Sequence, residues 1–184
     1  TCNAMLRIIT MGKFMKTQLT AVVGHEYPFS ETRSKDLFID YLGEDVSLST
    51  FLNVLLNKLP SSLSSKRRLH SNENSTLLIF LNGHGGEDFF KFGYIHPISL
   101  KLGKGELNSH ILQNVIFYMF KMKRYGQVMI MIDTCQASSL IPKTLPPYSS
   151  FIASSSIGEE SYSHGFDYNV SFFLICSFIV RNTY

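Results

Sequence analysis

Two side chains, 51 residues apart, have the chemistry of a nucleophile and its base. His84 stands in LNGHGGE and Cys135 in MIDTCQA, each close behind a short apolar run. An imidazole titrates near neutrality and can move a proton to or from a reacting group. A thiol with a pKa near about 8.5 is mostly protonated at pH 7, and a neighbouring imidazole or the positive end of a helix lowers that value and yields the thiolate. Gly83, Gly85 and Gly86 leave bare backbone around His84, so a substrate can come close. Backbone N–H groups after His84, with that of Cys135 as a second donor, can face a developing oxyanion. Together these groups suit acyl transfer: the sulfur attacks, the imidazole shuttles the proton, and the backbone holds the intermediate. The plainer alternative is a glycine turn that happens to contain a histidine, and a buried cysteine serving as a small hydrophobe.

The elements that must position this pair alternate along the chain. SLSTFLNVLLNK at 47–58 spaces Leu48, Phe51, Leu52, Leu55 and Leu56 for a helix, with Ser47 or Ser49 as cap. Residues 76–81 read as a strand buried on both faces, ending at Asn82-Gly83. A longer helix is predicted over 106–124, where Leu107, Ile111, Leu112, Val115, Ile116, Met119 and Phe120 recur on one side before a cationic last turn and Gly126. VMIMID at 128–133 is a second buried strand, TCQASSL after it is compatible with a helix start, and 150–156 is a third strand ending in small polar residues. Strand, helix, strand, short helix, strand predicts a parallel sheet covered on both faces. Ligands in such sheets sit beyond the carboxyl ends of the strands. His84, Cys135 and Ser154 to Ser156 then share one rim.

Length and composition set bounds on function. A chain of 184 residues, 45% apolar with 15 Phe and 9 Tyr, is expected to form one packed domain over 1–184. A net charge of +3 with scattered basic residues argues against a nucleic-acid partner, and the clusters Lys66 to Arg68 and Lys121 to Arg124 read as solvated loop or helix-end charge. Cys2, Cys135 and Cys176 are too few and too distant for a disulfide scaffold or a paired zinc motif. His25, His70, His96, His110 and His164 show no metal-ligand spacing. No basic segment followed by an apolar run opens the chain, so no signal peptide is expected. VSFFLICSFIV at 170–180 falls short of the roughly 20 residues of a membrane span and is expected to pack on a core. An esterase oxyanion loop also carries His-Gly-Gly, but the G-x-S-x-G elbow that would accompany it does not occur. Phe89, Phe90 and Phe92 are expected as core beneath the histidine loop, and Glu159 and Glu160 as solvent-facing.

Three motifs in order carry a family resemblance. NGHGGEDFFKF at 82–92, MIDTCQASSL at 131–140 and ASSSIGEESYSH at 153–164 resemble the catalytic subunits of glycosylphosphatidylinositol (GPI)-anchor transamidases, themselves similar to legumain-type asparaginyl endopeptidases and more distantly to caspases. Supported by IDYLGEDVSLSTFLNVL at 39–55 and SSKRRLHSNENSTLLIF at 64–80, the resemblance covers about 36–168. The spacing of about fifty residues between histidine and cysteine agrees with it.

The resemblance implies an α/β, caspase-like three-layer sandwich with a mostly parallel sheet. It implies a catalytic dyad of His84 and Cys135, an oxyanion hole of Gly85 with the Cys135 N–H, and substrate-binding roles for Asp133, Ser154 and Ser155. The small residues from Ala153 to Ser156 would suit a pocket for a small side chain. The implied reaction is that of a thiol protease turned transamidase: a C-terminal signal peptide is cleaved through a thioester, and the ethanolamine amine of a preformed GPI lipid takes the acyl group in place of water. Implied partners are the other subunits of the transamidase complex, a proprotein with its GPI signal, and the GPI lipid. The implied location is a lumenal domain of an endoplasmic reticulum membrane complex.

Departures from the family pattern are also expected. The family begins with a strand, a helix and a further strand ahead of this match, and continues beyond it to further core elements and a membrane-spanning helix. The fold here is therefore expected to be truncated at both ends, with a bare sheet edge beside the strand that leads to His84. No cofactor is required. A structural calcium site in relatives uses acidic residues; Asp40 fits one such ligand position, but Phe38 stands where a second carboxylate would be, and loss of a hard oxygen ligand weakens such a site. Cys2 sits in a stretch that in the family links to a partner subunit by disulfide; a free thiol is the default. Two alternatives stay open, a non-catalytic truncated paralogue and an asparaginyl endopeptidase.

Overall fold

A computed structural model of the chain describes residues 5–11, 18–23, 39–42, 45–92, 105–161, 163–167 and 172–176. Strands β1 (Met5–Met11), β2 (Gln18–Val23) and β3 (Ile39–Leu42) come first, followed by helix α1 (Leu48–Leu56). Strand β4 (Thr76–Asn82) leads to three short strands, β5 (Gly85–Gly86), β6 (Phe89–Lys91) and β7 (Glu106–Leu107). Helix α2 (Ser109–Lys121), β8 (Gln127–Asp133) and β9 (Ser149–Ala153) complete the part that carries the site, and β10 (Ser163–Asp167) pairs with β11 (Phe172–Cys176) in an antiparallel ribbon.

The main sheet has the order β3-β2-β1-β4-β8-β9. Strands β4, β8 and β9 are parallel neighbours, as the strand-helix-strand pattern predicts. The expected bare edge beside β4 is filled: β1 pairs with it in antiparallel register from Met5 against Asn82 to Met11 against Thr76. Its direction against β2 follows from chain length. Too few residues separate Met11 from Gln18 for a parallel crossover, which needs about a dozen, so β1 and β2 pair antiparallel; β2 runs with the rest of the main sheet, and β1 therefore runs against β4 as well.

Alternate residues of the central strands face one core. Leu77, Ile79 and Leu81 of β4, and Val128, Ile130 and Ile132 of β8, are buried together with Phe51, Val54 and Leu55 of α1 and Leu112, Val115, Ile116 and Met119 of α2. The other positions are less covered: Leu78, Phe80 and Met131 are half-buried and Met129 is exposed. Both strands therefore read as half-covered rather than buried on two faces, and among the described residues no α-helix covers that second face.

Helix boundaries follow local chemistry. Ser47 caps α1, its Oγ accepting the Thr50 N–H at 3.1 Å, and Asn57 ends the helix in the left-handed region (φ 55°). Arg124 ties this end to the rest: Nε donates to the Leu55 carbonyl at 2.7 Å and Nη2 to that of Leu69 at 3.0 Å. The basic clusters thus serve structure, since Arg67 also pairs with Asp45 at 3.0 Å and lies over the Tyr41 ring. Helix α2 starts three residues later than the periodicity suggests, because Asn108 caps it through Ile111 N–H at 2.8 Å while Glu106 and Leu107 join β6. Phe90 and Phe92 are core, Phe92 stacking on Phe51 at 5.3 Å between centroids; Phe89 is only half-buried. The expectation that 170–180 packs on a core concerns side chains outside the described ones.

Candidate active site

Register brings the two chemical motifs together. Strands β4 and β8 pair without a slip from Thr76 against Gln127 to Asn82 against Asp133. Neighbouring strands lie about 4.8 Å apart, and His84 and Cys135 each stand two residues beyond that last matched pair. Hydrogen bonds hold the strand ends side by side: Gly83 N–H donates to the Asp133 carbonyl at 3.1 Å, and Asn82 Nδ2 donates to Asp133 Oδ2 at 2.9 Å. Both residues leave the sheet at its carboxyl rim.

His84 is exposed at this rim, and β5 and β6 form the tight hairpin behind it, closed by Lys91 N–H to the His84 carbonyl at 2.9 Å. The protein removes part of the ring's hydration, and with help from the Lys91 ammonium this lowers its pKa below the usual imidazole value. The neutral imidazole, the form that accepts a proton, therefore predominates at pH 7. Gly85 is fixed by close approach: a Cβ there would lie 2.5 Å from the Phe89 carbonyl oxygen and 2.5 Å from Thr134 Oγ1. Thr134 is itself 2% exposed, and among the described residues its hydroxyl has no hydrogen-bond partner.

Cys135 is a half-buried free thiol. Its surroundings differ from the expected helix start. Gln136 takes a left-handed conformation (φ 53°), and only a short 3-10 turn, Ala137–Leu140, follows. Among the described residues no α-helix points its positive end at the sulfur. In its place the segment after β9 folds over it: the Ser161 N–H points to Sγ at 3.5 Å, a donor suited to a thiolate, and the thiol can donate to the Ser161 carbonyl at 3.9 Å. Gln136 latches this segment, its N–H donating to the Glu159 carbonyl at 2.8 Å and its Oε1 accepting from Gly158 N–H at 3.2 Å.

Asp133, Ser154 and Ser155, expected to bind substrate, lie at the same rim but beneath it, at 2%, 4% and 7% exposure. Asp133 accepts from Asn82 and, through Oδ1, from Ser161 Oγ at 3.0 Å. Ser155 Oγ donates to the Thr134 carbonyl at 2.7 Å and accepts from Ala137 N–H at 2.9 Å, bracing the turn that carries the sulfur. Ser154 Oγ reaches Ser161 Oγ at 3.5 Å. Sequence reasoning passed over Asn82, Gln136 and Ser161; only their position beside the motifs could have marked them. Glu159 and Glu160 are exposed, as expected, although Glu159 Oε2 also accepts the Ser156 N–H at 2.7 Å.

Asp40 lies on β3, half-buried. Among the described residues no three acidic, imidazole or thiol groups come together. Cys2, Phe38, His25 and His96 lie outside the described residues, as does the side chain of His164. Among the described residues no helix is long and apolar enough to cross a membrane.

A half-covered α/β sheet with histidine and cysteine loops on adjacent parallel strands defines a caspase-like peptidase domain, and the chain belongs to the Peptidase C13 family, whose model matches residues 19–179. Among known proteins it is similar to the GPI-anchor transamidase of Schizosaccharomyces pombe, 35% identical over 80% of this chain and 37% of that protein. The transamidases of Saccharomyces cerevisiae (32% identical, 76% of this chain and 32% of that protein) and Homo sapiens (33%, 70% and 30%) are similar to it as well. The chain thus spans about a third of the length of these curated relatives.

Proposed function

We propose that this chain is catalytic-subunit sequence of a GPI-anchor transamidase, with Cys135 as nucleophile and His84 as base and then acid. The observation that carries this reading is the unbroken parallel register of β4 and β8, which sets the two motifs side by side at the ligand-binding rim of a C13 peptidase sheet. His84 takes the thiol proton, and the sulfur attacks the carbonyl at the cleavage site of a C-terminal signal. The Gly85 and Cys135 N–H groups stabilise the oxyanion. The protonated imidazole then gives its proton to the departing amine, leaving a thioester on Cys135. The ethanolamine amine of a GPI lipid, deprotonated by His84, attacks the thioester and restores the thiol. Asp133, Ser154 and Ser155 shape the floor behind the sulfur in this reading. Ser161 N–H supplies the thiolate stabilisation that a helix end would otherwise provide.

The same reading assigns the chain to a complex with other transamidase subunits, on the lumenal side of the endoplasmic reticulum membrane. No metal or organic cofactor enters any step. The test is transfer against hydrolysis, using the full-length protein in its complex and a proprotein with a C-terminal GPI signal. A product joined to an added amine supports transamidation. Hydrolysis after asparagine without amine capture would make the protein an asparaginyl endopeptidase, and absence of both would leave a non-catalytic relative.

A further inference from the structure

The two loops that carry the dyad are joined by one hydroxyl. Ser139, in the 3-10 turn after Cys135, accepts the Asp88 N–H through Oγ at 2.8 Å; Asp88 is in the hairpin after His84. The same Oγ lies 2.7 Å from the Gln136 carbonyl and 3.3 Å from the Gly86 carbonyl, so its single proton bonds within the cysteine loop or to the histidine loop. Asp88 is held in the left-handed region (φ 56°), which a non-glycine residue keeps where surrounding bonds fix it. Those bonds are visible: its N–H goes to Ser139, and its Oδ1 accepts the Ser109 N–H at 2.8 Å, at the first turn of α2. The sheet register sets where the loops begin, but both residues lie beyond it, where no ladder bonds hold β4 to β8.

We propose that Ser139 is a positioning residue that clasps the histidine hairpin to the cysteine loop and so sets the His84–Cys135 geometry for proton transfer. It touches neither substrate nor the reacting atoms, and acts through Asp88, Gly86 and Gln136. The proposal rests on the dyad assigned above. A proton relay tolerates little misplacement, and a small shift between the partners lowers the rate by about a hundredfold without any loss of binding.

The test follows alkylation of Cys135 by a neutral reagent across pH 5 to 9, read by peptide mapping in the full-length protein, for wild type, His84→Ala, Ser139→Ala and Ser139→Thr. In the wild type, the rate below the ordinary thiol pKa is expected to depend on His84. Ser139→Ala is expected to lose most of that His84-dependent rate while keeping its unfolding midpoint close to wild type, and Ser139→Thr, which keeps the hydroxyl, is expected to restore it. In proprotein cleavage, Ser139→Ala is expected to lower kcat and leave KM unchanged. If His84→Ala alters the profile and Ser139→Ala does not, the clasp is wrong and the dyad stands. If His84→Ala has no effect, the dyad itself fails and the clasp fails with it. A Ser139→Ala protein that unfolds broadly, with Ser139→Thr equally impaired, shows a structural role and overturns the proposal.

Discussion

Gly85→Ala tests the packing of the oxyanion loop and its chemistry together. The new Cβ would lie 2.5 Å from two oxygens, Phe89 O and Thr134 Oγ1, and 3.1 Å from Thr134 Cγ2. Thr134 could rotate, but its side chain is buried, and the Phe89 carbonyl belongs to the hairpin backbone paired with Gly86. The hairpin must therefore move away from Thr134. Overpacking of this kind destabilises by about 1–3 kcal/mol. With a urea slope of about 2 kcal/mol/M, the unfolding midpoint falls by roughly 0.5–1.5 M. Such a loss leaves most of a typical stability of about 5–15 kcal/mol, so the variant still folds at 25 °C. Its cleavage of a signal-bearing proprotein is nevertheless expected to drop by about 10²–10³-fold, the effect of displacing one oxyanion donor. Adding Thr134→Ala removes one of the two clashes, so the double variant should regain part of the stability and little of the activity. Urea titration and initial rates at a temperature where every variant is folded provide the readouts. An unchanged midpoint together with unchanged cleavage would refute both the close packing and the oxyanion assignment.

Other consequences follow from single contacts. Lys91→Gln removes one of the charges that depress His84, so the acid limb of the pH–rate profile should move to higher pH, though not fully, because desolvation is the larger cause. The sign for stability is fixed by linkage: the unfolded histidine takes its proton first, so His84 contributes stability above its ordinary pKa that is lost as pH falls, and in Lys91→Gln this loss is shallower in acid titrations followed by circular dichroism. Arg124→Met keeps the aliphatic stem but leaves the Leu55 and Leu69 carbonyls without their donor, and should lower unfolding free energy by about 2 kcal/mol in urea. Ser155→Ala removes the brace between Thr134 and Ala137, and should destabilise by about 2–3 kcal/mol while slowing Cys135 alkylation.

Much of the site-bearing sheet was legible because each strand carries its own signal. The apolar runs at 76–81 and 128–133 end where β4 and β8 end or one residue short of it, and the equal two-residue spacing from the strand ends, Asn82 and Asp133, to His84 and Cys135 follows the register. What periodicity could not give was direction and capping. Nothing in the composition of 5–11 shows that β1 runs against β4; the short link to β2 sets only the antiparallel pairing of those two strands, and the side of the pair that meets β4 is decided by tertiary packing. The overlong forecast for α2 came from Leu107, whose apolar character serves β7, while Asn108 carried the capping signal that ends the ambiguity. The turn after Cys135 departs from the expected helix start for a similar reason. TCQASSL is compatible with a helix start, but Gln136 enters the left-handed region, with its N–H bonded to the Glu159 carbonyl and its side chain to the Gly158 N–H, and such long-range bonds leave no local trace. Ser155 and Asp133 were found as site residues through the family motifs, yet their partners show them supporting the turn from below.

The central claim is that Cys135 becomes acylated with His84 as its proton carrier. Its most direct test is to quench the full-length protein in its complex during turnover of a signal-bearing proprotein, then map the covalent adduct by mass spectrometry. The account predicts a hydroxylamine-sensitive thioester on Cys135, absent in Cys135→Ala and strongly reduced in His84→Ala. Continued cleavage by Cys135→Ala, or an acyl group found on another residue, would contradict it.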